Sequence, residues 1–240
     1  MRRRFFVEQF IGKTAVVEGD AAHHLGHVLR AQTGQLYELS DGSAAWLARI
    51  ESVARSRVEF ALLEQLPSHE SSFDITLLLS VVKFDVFEWA IEKATELGVS
   101  RIIPLAAARS EKGLLAAAAK RSQRWQKILL EACQQSRRLR VPLLDNVAKP
   151  AQAFDAQRNK LCILLSERSD APSLRSSLAN ATDTKFAVLA IGPEGGWTDD
   201  ELAAARAAGF REASLGQLIL RTETAVIAAL ASLNYALSSE

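Results

Sequence analysis

FAVLAIGPEGGWTDDEL, residues 186–202, places an apolar run, a glycine-rich corner and a helix start in direct succession. FAVLAI is continuously apolar, which suits a strand of a parallel sheet covered on both faces. Thr198 and Glu201 have capping-box spacing with Asp199 and Asp200 in the first turn, so a helix is predicted to begin just after Trp197 and to stop at Gly209. Between strand and helix, Gly192, Pro193, Glu194, Gly195 and Gly196 hold more glycine than a tight βα turn needs. The corner lies at the carboxyl end of a buried strand, the edge where open α/β sheets bind ligands, and glycines let backbone groups approach a ligand without Cβ interference. A ligand loop is therefore expected, with an ordinary turn as the alternative.

A second loop of the same kind follows, LGQLILRTETA at 215–225, with Thr222 or Thr224 as the cap of a helix apolar nearly all round, AVIAALASLNYAL. That helix is expected to be buried, either centrally or partly against another subunit. Both loops end strands, so one site built from both is expected. Neither contains GxGxxG or GxxxxGK[ST], so dinucleotide and P-loop patterns are absent.

Working outward, strands alternate with helices from residue 73 on: FDITLLLSVV then FEWAIEKATELG, RIIPLA then a long basic helix, then KLCILLS, FAVLAIG and EASLG. This is an α/β pattern with a mainly parallel sheet and helices on both faces. Before Pro67 come short runs rich in β-branched and aromatic residues, RFFVEQF, TAVVEG, QLYELS, AWLARIES and RVEFALLEQL, punctuated by Gly19, Gly34 and Gly42, which read as a small barrel. The division expected is 1–70 and 73–240.

Net charge is +1, which argues against nucleic-acid binding through global charge. Locally, Lys120, Arg121, Arg124, Lys127, Arg137, Arg138 and Arg140 face Glu131 alone, a concentration that fits phosphate contact as well as a solvated helix face. Trp125, Ile128, Leu129, Ala132 and Cys133 fall at helical spacing and read as that helix's core face. Cys133 and Cys162 are far apart in apolar surroundings and read as core thiols, not as a disulfide or zinc site. His23 and His27 are spaced i, i+4, but no carboxylate or cysteine completes a metal set, so no metal is expected. With no apolar run of membrane length and no signal-like N-terminus, a soluble cytoplasmic protein is expected.

IGPEGGWTDDEL followed by LGQLILRTETAVIAAL resembles the cofactor-binding end of the SPOUT class of knotted RNA methyltransferases. More narrowly, the chain is similar to the RsmE family, which methylates N3 of a uridine in the decoding region of 16S ribosomal RNA. Weaker matches extend over nearly the whole chain: RRRFFV, HHLGHVLR at 23–30, KFDVFEWAIEKATELGV at 83–99, PLAAARS at 104–110 and RWQKILLEACQQSRRLRVP at 124–142. The resemblance implies a PUA-like barrel over 1–70 and a deep trefoil-knotted α/β domain over 73–240. It also implies S-adenosylmethionine as cofactor, a homodimer, and 16S RNA as substrate in the 30S subunit or a late precursor.

Carried over by position, the cofactor residues are Leu165, Ser166, Gly192, Pro193, Glu194, Gly195, Gly196, Leu215, Gly216, Ile219, Leu220, Arg221, Thr222, Glu223, Thr224 and Ala225. The RNA contacts implied are Arg3, Arg4, His24, Arg30, Arg121, Arg124 and Arg137. Phe84, Arg137 and Gln217 stand where the family pattern commonly has glycine, a small residue and arginine. Methyl transfer to uracil N3 needs an in-line acceptor and stabilisation of the charge left on two carbonyl oxygens when N3 loses its proton. Arg138 is the candidate cation and Gln135 its partner at the base edge. Glu194 could favour a cationic cofactor or accept the proton, or simply hold backbone amides. A knotted methyltransferase acting on ribose 2′-OH or another ribosomal or transfer RNA site shares the loops. A non-catalytic RNA-binding protein would not need them.

Overall fold

The structure, a computed structural model, describes residues 3–67, 73–158, 160–179, 181 and 184–237. Internal contacts divide the chain into two units, Met1–Glu70 with Leu130–Val141, and Ser71–Leu129 with Pro142–Glu240. The expected linker between 70 and 73 falls on residues 68–72, outside the described ones.

In the first unit, β1 (Arg4–Phe6), β2 (Thr14–Glu18), β3 (Leu36–Ser40), β4 (Ala45–Val53) and β5 (Arg57–Leu66) form a five-stranded sheet in the order β1-β3-β4-β5-β2. β1 runs parallel to β3 and the other pairs are antiparallel. Alternation sets the buried face: Ala15 and Val17, Ala48 and Ile50, and Val58, Phe60 and Leu62 turn inward onto Phe5, Leu25 and Leu39. Register shifts between β4 and β5, at Leu47/Ala48 and Ile50/Ser52, bend and twist the ribbon so that it curls around this core. RFFVEQF is a strand only over Arg4–Phe6, because its partner β3 ends at Ser40. Between β2 and β3, α1 (Gly19–His23) runs directly into a π-helical turn, His24–Val28.

The second unit is built on β6 (Asp74–Ser80), α2 (Phe84–Glu96), β7 (Arg101–Leu105), α3 (Lys112–Ser136), β8 (Leu143–Leu144), α4 (Pro150–Asp155), β9 (Leu161–Leu165), α5 (Leu174–Leu178), β10 (Phe186–Ile191), α6 (Asp199–Ala207), β11 (Arg211–Ala213) and α7 (Thr222–Leu237). Its six strands are all parallel, in the order β11-β9-β10-β6-β7-β8. LLAAAAK lies inside α3, which is one helix of 25 residues whose last turns belong to the first unit.

Burial explains why these strands read as unbroken apolar runs. Leu78, Ile103, Cys162, Leu164, Val188 and Ala190 share one core with Phe154 of α4 and Leu202 and Ala205 of α6. The alternate residues Leu77, Leu79, Ile102, Ile163, Leu189 and Ile191 are buried as well, on the face where α7 packs against α2. A sheet wetted on neither face favours apolar residues throughout, with Thr76 and Ser80 of β6 as buried polar exceptions. α6 begins with the predicted capping box: Thr198 Oγ1 accepts from Glu201 N–H while the Glu201 carboxylate accepts from Thr198 N–H. Beyond α6, Gly209 has φ +90°, the left-handed conformation that ends a helix.

α7 departs from expectation in its cap. It starts at Thr222, so Arg221 occupies the cap position instead of Thr222 or Thr224. It is buried along one face only, through Thr222, Val226, Ala229, Leu230, Leu233 and Leu237, whereas Tyr235 is 91% exposed.

Strand order places the site. The chain lays down β6, β7 and β8 in one direction, then returns to set β10 between β6 and β9 and β11 outside β9. The carboxyl ends of β9, β10 and β11 are thereby neighbours, although the loops that leave them are far apart in sequence.

Candidate functional site

Those three loops enclose a cleft of about 490 Å³, within the range of small-molecule sites. β9 contributes Leu165 to Arg168, β10 contributes Ile191 to Glu194 with Gly196 and Trp197, and β11 contributes Ser214 to Thr222. The loops are tied to one another. Ser166 N–H donates to the Ala213 carbonyl at 2.9 Å, and the indole N–H of buried Trp197 donates to the Leu165 carbonyl at 3.0 Å. Trp197 also explains Gly192: a Cβ there would stand 3.1 Å from the indole ring, so only glycine lets the strand end lie on the tryptophan. Phe154 meets the same indole edge-on at 5.8 Å between centroids.

The glycine loop is braced from the loop after β7. Arg109 Nη1 donates to the Gly195 carbonyl, and its aliphatic stem fills the space beside Gly195, where a Cβ would come within 3.3 Å of it. Glu201 extends its capping role by accepting from Ala108 N–H at 2.8 Å. Gly196 has φ +69°, so conformation calls for glycine, and a Cβ on it would meet the tip of exposed Glu167 at 3.2 Å.

Of the cofactor residues named from sequence, Leu165, Ser166, Gly192, Pro193, Glu194, Gly196, Leu215, Gly216, Ile219, Leu220, Arg221, Thr222 and Ala225 line this one cleft. Gly195 braces its wall through Arg109, while Glu223 and Thr224 lie in the first turn of α7 and do not line it. Arg109, Glu167, Arg168, Trp197 and Asp199 line it too and went unnamed as site residues. Trp197 carried a usable signal, a large apolar residue directly before a capped helix. Glu167 and Arg168 continue the loop of Leu165 and Ser166, and Asp199 follows the glycine loop in sequence; Arg109, from the loop after β7, is brought in by strand order, which local pattern does not encode. The donor set is mixed: aliphatic side chains from Leu165, Leu215, Ile219 and Leu220, with the carboxylates of Glu167, Glu194 and Asp199 at the rim.

The basic segment divides between the units. In the second, Arg121 and Arg124 both reach Glu88 on α2, at 3.4 and 2.7 Å, and the Arg121 guanidinium stacks 4.6 Å from the centre of the Phe84 ring. Phe84 and Phe87 in turn pack on buried Trp125. These two arginines therefore dock α3 onto α2 as well as presenting charge, and partly exposed pairs of this kind contribute only about 1 kcal/mol or less. In the first unit are Gln135, exposed in the last turn of α3, Arg138, half-buried just beyond it, and Arg137, exposed with φ +57°.

Arg4, expected to contact RNA, is corrected by its burial. It is 7% exposed, its guanidinium bonds Glu38 at 3.0 Å and its Nη1 donates to the Arg137 carbonyl at 2.6 Å. Those bonds leave it no face toward a phosphate. Arg3 and Arg30 are exposed, and His24 is half-buried beside the Phe5 ring. His23 and His27 stack at 4.5 Å, and among the described residues no group of three or more His, Cys, Asp or Glu is placed to hold a metal ion. Burial pushes the Cys133 thiol up to about 11 and raises that of Cys162, so both stay protonated and unreactive at neutral pH. No helix among the described residues is long and apolar enough to cross a membrane.

With this geometry in hand, comparison with known proteins is specific. The RNA methyltransferase domain model matches residues 69–234, and the RNA methyltransferase PUA domain model matches 17–63. Ribosomal RNA small subunit methyltransferase E of Synechocystis is 35% identical over 97% of this chain and 76% of its own length. The protein of that name from Bacillus subtilis is 31% identical over 97% of this chain and 96% of its own. Among solved structures, the Neisseria gonorrhoeae ribosomal RNA small subunit methyltransferase E bound to S-adenosylmethionine superposes with a TM-score of 0.89 at 32% identity, covering 99% of this chain and 98% of that one. A putative methyltransferase of Legionella pneumophila in complex with the same cofactor gives 0.87 at 29% identity, with all of both chains covered.

Proposed function

Since the chain belongs to the ribosomal RNA small subunit methyltransferase E family, we propose that it methylates N3 of a uridine in the decoding region of 16S ribosomal RNA, with S-adenosylmethionine as methyl donor. Its second unit has the knotted SPOUT fold and its first the PUA-like barrel. The observation that carries the reading is the cleft at the joined ends of β9, β10 and β11, whose residues fit the cofactor. Glycines at 195 and 196 let Arg109 and Glu167 pack against the backbone of one wall. Leu165, Leu215, Ile219 and Leu220 suit an adenosyl moiety, and Glu167 and Glu194 suit a cation, whereas Asp199 lies 3.8 Å from Arg168, which lines the cleft with Arg109 and Arg221. When bound, S-adenosylmethionine supplies an electrophilic methyl group on a sulfonium.

The chain's own residues hold and orient. Loops tied through Trp197, Ser166 and Arg109 keep the cleft's geometry before substrate arrives, and preorganisation of this kind is where much of the acceleration of a displacement originates. Arg138 stabilises the charge that develops on uracil as N3 loses its proton, with Gln135 at the base edge. Glu194 faces the cleft as a charge partner for the cofactor. Both the barrel over 1–70 and the methyltransferase domain over 73–240 contribute RNA contacts, Arg3, His24 and Arg30 from the first and Arg121, Arg124 and Arg137 from the second. A homodimer is supported by the uncovered apolar side of α7 and by Leu218 and Ile219, 81% and 79% exposed. The natural substrate is 16S RNA in the small subunit or a late precursor, and the compartment is the cytoplasm.

Calorimetry tests the cofactor assignment. S-Adenosylmethionine is expected to bind at about one per chain without added metal, as one cleft formed by one chain's three loops implies. Failure to bind it, with NAD or ATP binding instead, would overturn the reading.

A further inference from the structure

We propose that Arg4 and Glu38 are positioning residues for methyl transfer, holding the turn after α3 in the conformation that presents Arg138. The proposal rests on the reading of Arg138 as the catalytic cation. α3 closes with the 6→1 bond of a Schellman motif: Arg138 N–H donates to the Cys133 carbonyl at 3.1 Å, and Arg137 occupies the left-handed position at φ +57°. Glycine ordinarily takes that position because a Cβ crowds the following carbonyl. An arginine there needs support from its surroundings, and the first unit provides it. Arg4 Nη1 donates to the Arg137 carbonyl at 2.6 Å, while Arg4 Nε and Nη2 are held by Glu38 Oε2 at 3.3 and 3.0 Å. The other oxygen of Glu38 lies 3.5 Å from Arg137 Nη1.

The far side of the turn is fixed as well. Ser40 Oγ donates to the Leu139 carbonyl at 2.8 Å, and Arg140 Nε donates to the Gly42 carbonyl at 2.6 Å. The carbonyls before and after the Arg138–Leu139 peptide bond's two residues, those of 137 and 139, are thus both held by side chains of β1 and β3. Arg4 and Glu38 are each 7% exposed, and a buried ion pair is a poor device for stability, since apolar residues of the same volume serve as well. What apolar residues cannot do is donate in a fixed direction to a particular carbonyl. That directional role is the one the geometry assigns.

The test is a cycle on the full-length protein, measuring single-turnover rate, KM for small-subunit RNA and cofactor affinity. Arg4→Met keeps the aliphatic stem and removes the donor, and Glu38→Gln keeps the shape and removes the charge that locks Arg4. Each is expected to slow turnover by about tenfold or more with KM and cofactor affinity within about twofold, because small misplacements of a reacting group are costly. Placed on Arg138→Ala, neither should slow the enzyme further, since both act through Arg138. If Arg4→Met does not fold, Glu38→Gln alone carries the test. Wild-type turnover in the folded variants, or losses that multiply with that of Arg138→Ala, overturns the proposal. Full turnover by Arg138→Ala itself overturns the catalytic reading beneath it, and that outcome is seen without any change at position 4 or 38.

Discussion

Gly196→Val is expected to lower affinity for S-adenosylmethionine by about 100-fold or more, a loss of roughly 2.7 kcal/mol, while the protein stays folded. The left-handed backbone is the main effect at this position. The backbone is at φ +69°, where a non-glycine residue costs about 1–2 kcal/mol, and the added Cβ would stand 3.2 Å from Glu167 Oε1. A domain of ordinary stability, about 5–15 kcal/mol, survives that cost, so the strain is relieved by moving the loop that forms the cleft wall. Gly195→Val is expected to behave similarly for a different reason, its side chain driving away the Arg109 stem that lies 3.3 Å from the new Cβ. Gly195→Ala, with no left-handed φ to forbid it, is the milder control. Calorimetry with a thermal melt on each variant separates loss of the site from loss of the fold. Normal affinity in both valine variants would reduce the glycine loop to a turn.

Arg138→Ala is expected to slow turnover by about 10²-fold or more at saturating RNA, with cofactor affinity nearly unchanged. The physical basis is differential: uracil is neutral when it binds and anionic as N3 loses its proton, so the guanidinium interacts more strongly with the transition state than with the ground state. A loss confined to turnover is the signature of such a contact. Lys120→Ala removes one exposed charge from α3, the helix that precedes Arg138, and is the control for phosphate steering; it should weaken RNA binding modestly and lower its salt dependence. Arg121 is a poorer control, because its removal also strips the contacts to Glu88 and Phe84 that dock α3. Full turnover by Arg138→Ala would pass the catalytic role to Glu194 or to a residue of a second subunit.

What the sequence made legible is what short-range physics encodes. The capping box at Thr198 and Glu201, the glycine stop at 209 and the buried parallel strands follow from spacing and alternation, and the structure has them where the pattern put them. Of the expected core face of α3, Trp125, Leu129, Ala132 and Cys133 are buried for the same reason, and Ile128 is half-buried at its edge. Charge was a weaker guide. Arg4 looks like any basic residue of an N-terminal arm until Glu38, 34 positions away, is seen to enclose it. Arg109, 86 positions from Gly195, meets the glycine loop through the order of the strands, a global event with no local signature. The knot is of the same kind, since threading depends on the order in which the whole chain is laid down, and only the resemblance of the two loop motifs pointed to it. Arg137 shows the limit most clearly: a helix that continues by propensity ends instead at a left-handed arginine, held by an arginine of β1 that is 133 positions away.

The central claim is methylation of uracil N3, and nucleoside mass spectrometry tests it directly. Small ribosomal subunits from cells lacking this gene would be incubated with the purified protein and S-adenosylmethionine, and their 16S RNA digested and analysed. The account predicts newly formed 3-methyluridine, mapped to the decoding region and slow to appear with Arg138→Ala. Methyl groups on ribose 2′-OH, on another base or another RNA, or no methyl incorporation by a protein that binds the cofactor, would contradict it.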